Sequence, residues 1–185
     1  IYGTESAVNV ARHLANVEDG QPLGYANAAA LFGQERVDRV VQFIKDSQDQ
    51  SGGFYHNPEA IKRNGRPSIW NTRRALSVLW NLEQGDSGVD AAREFLFSCF
   101  TFGPEGQTGF RESTVDSTIR SSDATASAIN ILDMTGDNAW IEEHQSGLVS
   151  YLKSTWGVNK KGLGGFGHTP GNAPALLYTN PVLSS

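Results

Sequence analysis

The acid best placed for chemistry is Asp123, in Ser121-Ser122-Asp123-Ala124-Thr125-Ala126-Ser127-Ala128-Ile129, immediately ahead of a run of small and apolar residues. A carboxyl side chain is among the groups able to do acid–base work. A carboxylate at the start of a helix also interacts favourably with the helix dipole, a structural use that needs no chemistry. The single cysteine, Cys99, lies in Phe95-Leu96-Phe97-Ser98-Cys99-Phe100 and reads as a small buried hydrophobe. His13, His56, His144 and His168 share no metal-ligand spacing such as His-x-x-x-His, so no metal site and no cofactor is predicted. His56 and His168 stand two residues after Phe54 and Phe166, with Arg111 the nearest counterpart between them, and read as surface residues on a shared rim.

Other chemistries lack their motifs. No Gly-x-Ser-x-Gly, P-loop or dinucleotide fingerprint occurs, and the glycine-rich Gly162–Gly167 follows a helical pattern rather than a strand, so it is a turn. The net charge of −5, from 15 basic and 20 acidic residues without long runs of one sign, offers no nucleic-acid surface. A hydrophobic content of 38% with 19% charged residues is that of a soluble globular protein. No apolar stretch reaches the length of about 18 residues that a transmembrane helix needs. The start Ile1-Tyr2-Gly3 carries no signal-peptide pattern, and one cysteine cannot build a disulfide framework, so the expected location leans intracellular. The 185 residues fit one domain.

What positions these residues is a repeat. A glycine-phenylalanine turn recurs at 52–54, 108–110 and 164–166, with Phe54, Phe110 and Phe166 spaced 56 residues apart. After each turn a polar loop leads to a threonine that opens a helical pattern, at Thr72, Thr125 and Thr179, with Thr4 in the same phase at the start of the chain. Threonine is a favoured N-cap, and Pro181, two residues after Thr179, is tolerated in a first helical turn. Small residues follow at Ala7, Ala75 and Ala128, where close helix approach would need them. Between each threonine helix and the next turn lies a second, amphipathic helix, around 36–44, 90–96 and 146–152. Val37, Val40, Val41 and Ile44 form a stripe at i, i+3, i+4, i+7. A short extra helix is expected around Ala28-Ala29-Ala30. The pattern predicts an all-α chain with no β-sheet, with about six main helices in alternating inner and outer layers.

Phe43-Ile44-Lys45-Asp46-Ser47-Gln48-Asp49-Gln50-Ser51-Gly52-Gly53-Phe54 resembles the repeat shared by triterpene cyclases, class II diterpene cyclases and protein prenyltransferase β subunits, with Phe where the cyclases usually have Trp. The resemblance implies a partial α/α toroid, about three and a half hairpin units of an (α/α)6-type barrel, forming a single incomplete domain over 1–185. Such a part-circle would be completed by the rest of the same polypeptide or by a partner chain, and an isoprenoid is the ligand it implies. The residues at the inner-helix N-termini, Tyr2, Trp70, Asn71, Ser122 and Tyr178, would then bind substrate, with aromatic faces stabilising a cation.

Aligned on Thr125, the segment Ser121–Thr125 is similar to the cyclase acid motif, Asp-x-Asp-Asp followed by Thr-Ala. Asp123 takes the place of its middle, proton-donating acid, while Ser121 and Ala124 stand where the other two acids belong. The zinc-dependent prenyltransferase set, an Asp-x-Cys with a distant His, is missing, and so is a Gly-Cys-Gly-Glu-Gln thioester. Two functions follow: a non-catalytic scaffold or binding module built on the toroid repeat, or an isoprenoid-processing enzyme with Asp123 as its general acid.

Overall fold

The computed structural model describes residues 1–18, 21–63, 65–85, 88–114, 120–158, 162 and 164–174. The chain is mainly helical. Among the described residues there are eight α-helices: α1 (Tyr2–Leu14), α2 (Tyr25–Phe32), α3 (Gln34–Lys45), α4 (Pro58–Lys62), α5 (Ile69–Asn81), α6 (Val89–Cys99), α7 (Ser122–Met134) and α8 (Asn138–Ser154). Four three-residue strands accompany them, β1 (Phe100–Phe102), β2 (Thr108–Phe110), β3 (Trp156–Val158) and β4 (Gly164–Phe166). None of the described helices is long and apolar enough to cross a membrane. Two compact units divide the chain, Ile1–Glu94 and Phe95–Ser185, with the division inside α6.

In the first unit α5 is buried on most of its circumference, through Ile69, Thr72, Ala75, Leu76, Val78 and Leu79 among others. By contrast α3 is buried along one stripe, Val37, Val41 and Ile44, which is the amphipathic pattern its spacing predicts. The expected short helix at Ala28–Ala30 is α2. Glu5 of α1 reaches both Arg73 (3.1 Å) and Arg74 (3.5 Å) of α5. The turn at Gly52 has φ +87° and lies so close to α6 that a Cβ there would stand 1.8 Å from the Ala91 carbonyl oxygen, so only glycine fits.

The second unit repeats the plan. All seven residues from Ser122 to Ala128 of α7 are buried, whereas α8 buries Gly147, Leu148 and Tyr151 alone. Trp140 stacks on His144 at 4.0 Å and packs with Phe97, Phe100 and Phe110. Here the expectation of a chain without β-sheet is corrected. β1 pairs antiparallel with β2, Phe100 opposite Phe110, and β3 pairs with β4, Trp156 opposite Phe166. Leaving one helix and approaching the next brings two extended segments side by side, and pairing satisfies their backbone groups. In the first unit the same place holds a single bridge between Gln48 and Phe54.

The residue just before each pairing site is equivalent in all three copies: Ser47, Cys99 and Thr155, exposed by 0%, 0% and 1%. Each offers its carbonyl oxygen to the amide of the residue after the turn phenylalanine, Tyr55 (2.9 Å), Arg111 (3.0 Å) and Gly167 (2.8 Å). Cys99 is thus the small buried member of the repeat frame. Burial pushes its thiol up to about 11.

The threonines play a different part from the one expected. The N-cap of α5 is Ser68, whose hydroxyl accepts from the Asn71 amide at 3.2 Å, and that of α7 is Ser121, accepting from Ala124 at 3.2 Å. Thr72 and Thr125 lie a full turn inside their helices and are wholly buried. Their hydroxyls accept from the backbone amides of the turn phenylalanines, Phe54 at 3.1 Å and Phe110 at 3.0 Å. The same phenylalanines accept through their carbonyl oxygens from Ser68 (3.2 Å) and Ser121 (3.1 Å). Each turn is clasped at both backbone groups by a serine and a threonine four residues apart. Thr4, taken as a helix start, lies within α1, which begins at Tyr2. Thr179 and Pro181 fall outside the described residues.

Phe54 and Phe110 are fully buried, as the repeat requires, while Phe166 is only half-buried. Ala75 and Ala128 are fully covered, but Ala7 is exposed, contrary to the expectation that all three lie in close helix contacts.

Candidate functional site

The α7 N-terminus puts Asp123 second in the helix, after the Ser121 cap and Ser122, so it is a first-turn carboxylate rather than the cap itself. It is 6% exposed. His168, from the turn after β4, brings its Nδ1 to 3.2 Å from Asp123 Oδ1. That turn is fixed on the helix start: the Ser122 amide donates to the His168 carbonyl oxygen (2.9 Å) and the Ser122 hydroxyl donates to the Gly167 carbonyl oxygen (2.8 Å). The first unit has the same device, with the Ile1 nitrogen donating to the His56 carbonyl oxygen at 3.1 Å. The shared position of the two histidines therefore reflects a backbone clasp onto a helix start. Only His168 also brings its side chain to an acid.

Tyr151 of α8 lies beside this group. Its ring carries the Arg120 guanidinium at 4.7 Å, and its fully buried hydroxyl has no hydrogen-bond partner among the described residues. Burial raises the hydroxyl well above the ordinary tyrosine range; Arg120 pulls it down and Asp123 pushes it further up. Arg120 also donates to the Gln107 carbonyl oxygen at 3.3 Å. An acid, an imidazole and a phenol thus share one small region, with the Asp123 Oδ1 and His168 Nδ1 atoms 3.2 Å apart but not aligned as a hydrogen bond.

Of the predicted site residues, Ser122 and Asp123 fall together in the second unit. Trp70 and Asn71 stand in the first turn of α5, in the first unit, both half-buried. The Arg74 guanidinium lies 4.9 Å from the Trp70 ring, so a cation already occupies a face of that indole. Tyr2 is the first residue of α1, and Tyr178 lies outside the described residues. Among the described residues no three His, Cys, Asp or Glu side chains come together to hold a metal ion.

Sequence reasoning missed His168, Tyr151 and Arg120 as neighbours of Asp123. The 56-residue phase held the signal for His168, because the turn after Phe166 meets the helix start that follows Phe110, one repeat earlier in the same unit. Tyr151 gave none, being one of several apolar residues on an amphipathic helix. No protein-family model matches this chain, and no curated protein matches it either.

Proposed function

We propose that this chain is a non-catalytic scaffold or binding module, a part-circle of an α/α toroid of the kind that terpene cyclases and protein prenyltransferases resemble. The observation that supports this reading is the setting of Asp123. It is buried in the first turn of α7, at the positive end of the helix dipole, and faces His168 from a turn that is itself clasped to Ser122. The flanking positions, Ser121 and Ala124, bring no second carboxyl group to share or hold a proton. Asp123 in this role fastens the turn after β4 to α7.

The reading is tested with geranylgeranyl diphosphate and with squalene-type substrates. The expected result is no turnover by wild type, together with a stability loss of about 1 kcal/mol in Asp123→Ala, read from urea unfolding. Turnover by wild type that Asp123→Asn abolishes would replace this reading with the second one, an isoprenoid-processing enzyme using Asp123 as general acid. The feature favouring that alternative is an imidazole nitrogen placed 3.2 Å from the carboxyl oxygen of a buried acid.

A further inference from the structure

In the first unit a cavity of about 370 Å³ opens between α1, α2 and α3. Its floor is apolar and buried, through Val8, Ala28, Val37 and Leu82. That volume falls among small-molecule sites, which run from roughly 300 to 1,000 Å³ and combine an apolar lining with a few polar groups. Here the polar lining side chains are Thr4 of α1 and Arg36 of α3. Arg36 is exposed as well as lining, so it stands at the mouth. Its charge is uncompensated within its own helix. Glu35 pairs with Arg39, and Asp38 accepts from the Tyr25 hydroxyl, so both acids of α3 are engaged elsewhere. Among the described residues Arg36 makes no ion pair. Its hydrogen bond to the Phe32 carbonyl oxygen, at 3.5 Å, is longer than the usual range.

We infer that this cavity binds a small anionic amphiphile, an alkyl chain ending in a carboxylate, with the chain on the apolar floor and the head group on Arg36. The chain leaves water for the surface of Val8, Ala28, Val37 and Leu82, which supplies the driving force. The guanidinium is a planar fork that matches a carboxylate through two parallel hydrogen bonds, and it stays charged at every working pH. Charge decides between occupants of similar shape. A neutral chain leaves the cation at the mouth unpaired, and a cationic one meets repulsion there. A strongly polar ligand would strand its hydroxyl groups against the floor. The inference goes beyond the scaffold reading: Asp123 belongs to the other unit, and the site stands whether or not that acid turns over a substrate.

Isothermal titration calorimetry with decanoate, decanol and decyltrimethylammonium as probes reads the outcome. Decanoate should bind one per chain with a Kd below about 1 mM, and decanol and decyltrimethylammonium more weakly. Arg36→Gln should weaken decanoate about three- to ten-fold and leave decanol unchanged, a split that a merely structural arginine would not produce. Ala7→Trp, at an exposed residue lining the cavity, should abolish binding of both with circular dichroism and the urea midpoint unchanged. Absence of saturable decanoate binding overturns the inference, as does decanoate binding that Arg36→Gln leaves unchanged or that Ala7→Trp does not block. Sedimentation velocity showing a dimer that Ala7→Trp dissociates, with no decanoate bound, would give the cavity to a second copy and equally overturn it.

Discussion

The first turns of α5 and α7 are built on one frame and filled with different contents. Ser68 and Ser121 cap, Thr72 and Thr125 hold the turn phenylalanine, and three residues lie between serine and threonine in both. In α5 these are Ile69, Trp70 and Asn71; in α7 they are Ser122, Asp123 and Ala124. Trp70 and Asp123 occupy the same position. One lies against Arg74 four residues on in its own helix, and the other reaches His168 on a turn far along the chain. The lesson is a division of labour: backbone satisfaction of the turn fixes serine and threonine, whereas the residues between them are free to differ in chemistry.

The largest test of that shared frame is at its phenylalanines. Phe54→Ala and Phe110→Ala should each cost about 3–5 kcal/mol, since both rings are fully buried and leave large cavities. Phe166→Ala should cost clearly less, because its half-buried ring packs edge-on against Trp156, itself 54% exposed. Urea unfolding of the three variants checks the order, and equal losses would mean that the third turn is packed like the other two.

The threonine hydroxyls come next. Thr72→Val and Thr125→Val keep the side-chain shape but strand a buried phenylalanine amide, at a cost of about 1–3 kcal/mol each. Similar losses in the two units would confirm one frame. A loss confined to Thr125 would mean that the polar contents of α7, and not the clasp, set the energetics there.

The smallest effect is expected at Cys99, whose sister positions are serine and threonine. Ser47 and Thr155 donate their hydroxyls to backbone oxygens, Phe43 and Leu152, each at 2.8 Å. Cys99→Ser can do the same within α6, so its stability should stay within about 1 kcal/mol of wild type near neutral pH. In wild type burial raises the folded-state thiol from its ordinary value of 9.0 to about 11. A raised acid favours folding fully below the unfolded value and loses that contribution as pH rises through the folded one. Wild type should therefore lose stability from about pH 9 to 11 more than Cys99→Ser does, and its thiol should resist iodoacetamide at pH 8 until urea unfolds the chain.

Much of the helical plan was legible in the sequence, because α3, α6, α7 and α8 bring both periodicity and repetition. The 56-residue spacing located the turns and the buried Phe54 and Phe110. Helix starts were misread by one turn. Thr72 and Thr125 have the residue type of a cap, yet Ser68 and Ser121 do the capping and free the threonines to bind the turns. The strands were invisible because three residues give too short an alternation to register. Equivalence of Ser47, Cys99 and Thr155 was hidden by their different side chains, since what they share is a carbonyl oxygen and a small volume. At the candidate site, Asp123 was legible from its place before Thr125, but its neighbours come from β4's far side and from α8, which only tertiary packing joins.

The turn-and-helix clasp also bears on the order of assembly. Phe54 and Thr72 are 18 residues apart in the chain, and Phe110 and Thr125 only 15. Loops of about ten residues close in roughly 10–100 ns, so each clasp can be sampled long before distant parts of the chain meet. The ties between repeats are of another range: 55 residues separate Ile1 from His56, and 45 separate Ser122 from Gly167. Folding then begins as separate local nuclei, one around each clasped turn. Closing a clasp of 15 or 18 residues costs less chain entropy than closing a tie of 45 or 55, so the long-range ties close over pieces already shaped.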